Sequence, residues 1–382
     1  MAKAVINGTV YTPHEVIEAG VVLIDEGKIQ AVGTRDALKV PDHAEIVDAT
    51  GRLVVPGFVD VHIHGLLGHD SMGAHLADVI PALPAYGVTS FMATTLTLPR
   101  AEVIECLHEM REVLAAPPKG AHCLGIHIEG PHLAPTKPGM ATAEWVYPLT
   151  WEDFQIFQQA AGGYIRMITF APESGRAMDV IPHLVKAGVV PVIGHTDATY
   201  EQVARAVELG ANHATHTYNA MRPLGHREPG VVEAVMHFDQ VFGELIADGI
   251  HIHPVAMDIL LRVKGLDRVV LISDAAPIAG LPDGEYEWEH KPVFIKDGRC
   301  QLADGTLAGA HALLDTGVRN LVNKVGLPLE KALIPATSAA AASVGATTKG
   351  RIAPGLDADI VLLDQELMPA MTLVGVEVAW SR

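Results

Sequence analysis

Two histidines, His62 and His64, close a short apolar run in Asp60-Val61-His62-Ile63-His64-Gly65. On a strand, residues two apart point to one face, which suits the pair to a single metal ion. Taken alone, the pair is more readily read as polar groups at a strand exit. Comparable endings recur in His127-Ile128-Glu129-Gly130-Pro131, Gly194-His195-Thr196-Asp197, His213-Ala214-Thr215-His216 and Ser273-Asp274-Ala275. A carboxylate such as Glu129 at the end of a buried strand is costly unless it meets a cation. A single His is more often a hydrogen-bonded group than a ligand, and Asp274 by itself could cap a helix. Their recurrence at the ends of successive apolar runs is what points to a metal centre. Imidazole and carboxylate without thiolate suit Zn first, with Fe, Mn, Co and Ni as alternatives. Such an ion generates hydroxide near neutral pH and polarises a carbonyl. Asp274 beside it would take up a proton and deliver it to a leaving amine.

These groups need a scaffold that gathers strand ends. Between about residues 56 and 346, apolar runs recur at Phe58–Ile63, Thr89–Leu96, Cys123–Ile128, Ile165–Phe170, Val189–Ile193, His213–Tyr218, Phe242–Ala247 and Val269–Ser273. Helical stretches such as Ala101–Ala115, Ala177–Ala187 and Tyr200–Leu209 separate several of them. Eight alternations predict an α/β fold, a (β/α)8 TIM-like barrel whose carboxyl strand ends carry the chemistry; an open doubly wound sheet is the alternative from periodicity alone. Short strands bounded by Gly, Pro and Asp occupy both ends: Ala4–Val10, Gly20–Asp25, Lys28–Val32 and Ala44–Asp48, then Ile360–Leu363 and Val374–Trp380. Residues 1–55 and 347–382 are therefore expected to form one small discontinuous β-sandwich domain beside the 56–346 barrel. The Ala-rich segment at 338–343 reads as a helix.

Composition narrows the function classes. With 27 basic and 45 acidic residues among 382, the formal charge is −18, which opposes unspecific binding to nucleic acid or anionic membrane. The three cysteines, Cys106, Cys123 and Cys300, are too few and too scattered for a disulfide framework, and fit a reducing cytoplasm. No signal-peptide layout or membrane-length apolar run is evident. Twenty histidines are the unusual feature, and their positions matter more than their number.

The motifs DVHIHG, HIEGP, GHTDAT, ATHTYNAM, REPG, ADGIH, SDA and PGLDADIVLLD occur in this order across nearly the whole chain. Together they resemble the amidohydrolase superfamily and, more narrowly, its N-acetylglucosamine-6-phosphate deacetylase family. The resemblance implies a metal-dependent hydrolase that removes acetate from a phosphorylated amino sugar. It implies Glu129, His195 and His216 as ligands of the main ion. It also implies His62, His64 and Asp274, with Glu129, at a second site, hence one or two divalent ions, with Asp274 as general acid and base. Substrate contacts implied are Asn219, Ala220, Arg227 and His251, with Met140 and Ala141 in one loop and Leu307, Ala308 and Gly309 in another. Arg227 suits phosphate as a planar cation; in the family it reaches into a neighbouring subunit, implying a homodimer. From its residues alone, Arg227 could instead pair with Glu228 on the surface. One departure stands out: the loop Lys137-Pro138-Gly139-Met140-Ala141-Thr142 lacks a histidine that many relatives carry there. The galactosamine epimer, a cyclic amide, an N-acyl amino acid and a non-catalytic binding barrel are the competing expectations.

Overall fold

The computed structural model describes residues Ala2–Arg382. Eight parallel strands form one sheet in chain order: β1 (Phe58–Ile63), β2 (Val88–Thr94), β3 (His122–Glu129), β4 (Ile165–Phe170), β5 (Val190–Ile193), β6 (His213–Ala214), β7 (Phe242–Ile246) and β8 (Val269–Ile272). Their near-continuous apolar runs are buried on both faces, as a sheet wrapped by helices requires. The ends meet just beyond β8: His62 O accepts from Asp274 N at 2.9 Å, and Ala275 O accepts from His64 N at 2.9 Å and Gly65 N at 3.1 Å. The sheet is therefore a nearly closed (β/α)8 barrel, and its seam lies at the strand ends where His62, His64 and Asp274 stand.

Helices follow the strands with lengths that span the return path. Arg100–Ala115 buries Val103, Leu107, Met110 and Leu114, an i, i+4, i+7, i+11 stripe against the sheet. Tyr200–Glu208 starts at a capping box in which Thr199 and Gln202 satisfy each other's backbone N–H. Pro254 occupies the first turn of Pro254–Lys264, where its missing N–H costs nothing. Within the barrel, Met92, Met167, Val192, Phe242, Ile246, Val270 and Ile272 belong to one apolar cluster.

Both chain ends contribute to a second eight-stranded sheet. Leu53–Pro56 runs antiparallel to Ile360–Leu363 and parallel to Lys3–Tyr11, which also pairs with Val16–Asp25 and Glu45–Asp48. It has its own apolar cluster, including Val5, Val22, Ile24, Ile29, Val54, Ile360 and Leu362. No helix among the described residues is long and apolar enough to cross a membrane.

Three local expectations change. The run His213–Tyr218 is strand only through Ala214; His216 and Tyr218 take positive φ and the chain turns, so the ligand-bearing end is loop. Val374–Trp380 is not one strand throughout: it holds the turn at Gly375 and most of the second strand of a hairpin, Pro369–Val374 and Glu377–Ser381. Leu307–Gly309, read as loop, lies on the last strand of a four-stranded antiparallel sheet spanning Gly284–Ala310. That insertion leaves the barrel after β8 and folds over its mouth. Its strands are half exposed and polar on one face, unlike the barrel runs.

Candidate metal centre

Six side chains from five strand ends converge. Glu129 Oε1 lies 3.0 Å from His216 Nε2 and 3.3 Å from His195 Nε2; Oε2 lies 3.2 Å from His62 Nε2 and 3.1 Å from His64 Nε2. Asp274 Oδ1 faces His64 Nε2 at 3.2 Å and His62 Nε2 at 3.6 Å. Two groups therefore have the proximity to hold an ion, Glu129 with His195 and His216, and His62 with His64 and Asp274. Glu129 stands between them and offers one oxygen to each.

The hydrogen bonds behind the rings show what this donor set wants. His195 Nδ1 lies 3.0 Å from Lys137 O and His216 Nδ1 3.1 Å from Asn219 O. Carbonyls only accept, so each Nδ1 carries the proton and each Nε2 presents a lone pair. Those lone pairs sit 3.0 Å apart beside a carboxylate, an arrangement that repels itself until a cation enters. His62 Nε2 is buried with no hydrogen-bond partner. The residues therefore fit a divalent metal. Electrostatics agree. With protons in place of a metal ion on the Nε2 atoms, burial works to raise Glu129, but the charge of His62 and bonds from His195 and His216 hold its carboxyl well below the usual range. Burial works to lower His64, yet Asp274 and Glu129 push it up to about 9. The cluster draws in positive charge.

The backbone is held in sparsely populated conformations to make this geometry. His195, His216 and Asp274 have φ of 46°, 23° and 51°, and such strain in non-glycine residues concentrates where function demands it. Gly139, at φ 62°, lets the loop Lys137–Ala141 pass over His195; a Cβ there would come within 3.0 Å of His195 Cε1.

A cavity of about 220 Å³ opens above the cluster, lined by His64, Glu129, His195, His216 and Asp274 together with Asn219, Ala220, His251, Met140, Ala141, Leu307 and Gly309. His62 lies fully buried beneath it. Ala308 is also buried, because alternation along its strand turns it away from its neighbours Leu307 and Gly309. Arg227 does not line the cavity; it is exposed and has no hydrogen bond or ion pair among the described residues. Glu228 instead faces Arg222 at 3.9 Å. The Ala220 N–H likewise has no partner among the described residues, and Ala220 lines the cavity.

Sequence reasoning missed four residues. Asp248 Oδ2 lies 2.7 Å from His251 Nδ1 and fixes that ring; Asp248 is the acid of the motif ADGIH, which contained the signal. Trp288 and Glu289, on the inserted hairpin, also line the cavity. Glu289 is buried at a two-residue turn with φ 49°, and burial pushes its carboxyl up to about 8. The hairpin is tied to the loop by Lys291 Nζ donating to Met140 O. Glu244, a lone charge inside an apolar run, is completely buried behind His62.

The chain matches the profile of the amidohydrolase family over residues 53–379. It is 37% identical over 371 residues to the N-acetylglucosamine-6-phosphate deacetylase of Bacillus subtilis (strain 168), covering 95% of this chain and 93% of that protein. It is 33% identical over 332 residues to the N-acetylgalactosamine-6-phosphate deacetylase of Escherichia coli O157:H7, covering 86% and 88%. Its fold is similar to that of the D267A mutant of N-acetyl-D-glucosamine-6-phosphate deacetylase from Mycobacterium smegmatis, solved in complex with N-acetyl-D-glucosamine-6-phosphate. That similarity has a TM-score of 0.92 at 30% identity and covers 100% of both chains.

Proposed function

Because this chain belongs to the amidohydrolase family, we propose that it hydrolyses the acetamide of N-acetyl-D-glucosamine 6-phosphate to acetate and D-glucosamine 6-phosphate. The observation that carries this reading is the position of Asp274 in the cavity wall, beside Glu129, His64, His195 and His216. Relatives named for the same deacetylation supply the substrate class. Glu129, His195 and His216 would hold one ion and His62, His64 and Asp274, with Glu129, a second; Zn suits the donors best. Bound there, a divalent ion supplies the Lewis acidity that makes water nucleophilic near neutral pH and stabilises an oxyanion.

The chain's own residues do the rest. Asp274 accepts the proton of the attacking water as the C–O bond forms at the acetamide carbon. It returns that proton to the sugar nitrogen as the C–N bond breaks. His64 Nε2 and Asp274 Oδ1 stand 3.2 Å apart, so an ion shared between them would hold the carboxylate in place. The unpartnered Ala220 N–H and the Asn219 amide are suited to phosphate or sugar oxygens, and His251, braced by Asp248, adds a third polar contact. Leu307 and the Met140–Ala141 loop bound the acetyl and sugar faces. No histidine stands in that loop; Glu289, from the opposite hairpin, occupies the same cavity.

The phosphate site is completed by Arg227 from a second copy of the chain. Two features support this homodimer. Arg227 is exposed and unpaired in its own chain. Separately, the helix Pro254–Lys264, to whose Ala256 O the cavity-side Tyr218 Oη donates, leaves Val255, Ile259 and Val263 60%, 47% and 56% exposed along one face. Free cysteines fit a cytoplasmic location.

Acetate release should be fastest from N-acetylglucosamine 6-phosphate. The unphosphorylated sugar and the Arg227→Ala variant should each lose about 10-fold or more in kcat/KM, as expected when a charge-assisted phosphate contact is removed. Indifference to the phosphate sinks the substrate assignment and leaves the amidohydrolase chemistry standing. Faster turnover of the galactosamine epimer, the reaction named for the Escherichia coli relative, would transfer the assignment to that sugar.

A further inference from the structure

The strand β7 reads Phe242-Gly243-Glu244-Leu245-Ile246, and strand alternation puts Glu244 on the same face as Phe242 and Ile246, both members of the apolar cluster within the barrel. Its side chain is 0% exposed, where an unpaired carboxylate would be prohibitive. All its neighbours are donors. Oε1 accepts from His213 Nε2 at 3.0 Å. Oε2 accepts from Thr215 Oγ1 at 2.7 Å, His216 N at 3.1 Å and His62 Nδ1 at 2.9 Å. The Thr215 hydroxyl also lies 2.9 Å from His62 Nδ1. Its single proton is engaged by Glu244, so Nδ1 faces a carboxylate and a hydroxyl lone pair, and must itself carry a proton. The lone pair of His62 is then on Nε2, the buried atom without a hydrogen bond that faces Glu129 and Asp274.

We propose that Glu244 is the positioning residue that creates the second ion site, by fixing His62 in the tautomer and orientation that a ligand needs. This rests on the two-ion reading above. His127 also lies close to His62 and Glu244, but its nitrogens face Val61 O at 3.3 Å and Thr169 Oγ1 at 2.8 Å, leaving neither for an ion. Glu244 therefore acts as a bracket behind the site and does not ligate. It also reaches the main site, since the same oxygen that holds His62 accepts the backbone N–H of His216. An amide oxygen could keep that backbone bond, but it lacks the charge that raises the basicity of the His62 ring. Loss of the Glu244 charge should thus fall on the second ion and spare the first.

Protein freed of metal by dialysis against a chelator is titrated with Zn2+ in a calorimeter, and ions per chain are counted by elemental analysis. Wild type should take up two ions. Glu244→Gln should keep the first at wild-type affinity and weaken the second about 10- to 100-fold, the range found when such outer partners are lost. Glu244→Leu should lose the second ion altogether and, without an acceptor for the His216 backbone N–H, bind the first more weakly but still measurably. If Glu244→Leu fails to fold, the isosteric Glu244→Gln variant decides alone. Two ions at unchanged affinity in folded Glu244→Gln overturn the inference while the metal reading stands. Equal weakening of both ions overturns it too, since that is the mark of general structural support. A wild-type chain that takes up only one ion removes the second site and the inference with it. A wild-type chain that takes up none overturns the metal reading itself.

Discussion

Glu129 gives each of its oxygens to a different pair of imidazoles, and that division would let one carboxylate serve both proposed ion sites. Asp274 has the opposite character: it touches only the His62–His64 side, and its backbone is held at φ 51° so that the carboxylate faces the cavity. Replacing it by Asn keeps size and one acceptor oxygen but cannot carry a proton between water and amine. Asp274→Asn should therefore lose about 10²–10⁴-fold in kcat, the usual worth of a general acid–base group. The ion held by Glu129, His195 and His216 should remain, which elemental analysis of the purified variant can check. Wild-type turnover would remove Asp274 from the proton path. Both residues were legible in the sequence because each ends an apolar run, where a charge has no reason to be unless something meets it. Glu244 was not, although it too interrupts an apolar run. Its meaning depends on His62 and His213, 182 and 31 residues away, and no local pattern announces such a meeting.

Among the elements, the barrel strands were the most readable, since burial on both faces writes them as unbroken apolar runs; Phe58–Ile63 and Ile165–Phe170 occur where expected. The Gly284–Ala310 insertion was not read. Its strands alternate Glu with Tyr and Trp, and a half-covered sheet lacks the signature of a barrel strand. Yet this sheet carries Trp288 and Glu289 to the cavity and holds the Lys137–Ala141 loop through Lys291. Lys291→Met should free the loop, raising KM several-fold with little change in kcat, because the contact orders a substrate wall and touches no reacting atom. Steady-state kinetics with the phosphorylated sugar test this; a fall in kcat at constant KM would refute it. The turn after Gly350 shows element-scale electrostatics. Partial burial works to raise the Asp357 carboxyl, but bonds from Lys28 and Thr348 and the charge of Lys349 bring it down to about 2. A carboxyl lowered on folding contributes its stabilisation in full above the ordinary value of about 3.9, and loses it as pH falls toward its folded value. The stability gap between wild type and Asp357→Asn should thus be constant from neutrality to about pH 5 and close between about pH 4 and 2. Urea midpoints across that range measure it, and a gap that widens on acidification contradicts the assignment.

For the whole molecule, the proposed dimer has a consequence that single-chain variants cannot mimic. Arg227→Ala and Asp274→Asn chains should each be weak alone, but mixed and re-associated they should regain about a quarter of wild-type sites, because half the random dimers pair one intact Arg227 with one intact Asp274. Additive residual activity after mixing would place Arg227 outside a shared site. The β-rich ends flanking alternating runs were visible in the sequence, and both ends contribute strands to one sheet. The join could not be read there: Lys349, nearly buried, binds Asp359 at 2.7 Å and Asp357 at 3.1 Å, and its Nζ also meets His122 on β3. The barrel's own seam is of another kind. Asp60 accepts from Ser273 N at 3.2 Å across 213 residues, and His62, His64 and Asp274 flank that junction. An ion held by these three side chains would be a buckle on a hoop, fastening its first stave to its last. Such a contact joins residues 213 positions apart, so it bears a large loop-closure entropy that an ion across it would offset in part. Stripping the metal should then do more than silence the enzyme: the hoop should spring open first at the buckle, with the amides of His64 and Asp274 exchanging ahead of those in β4 and β5.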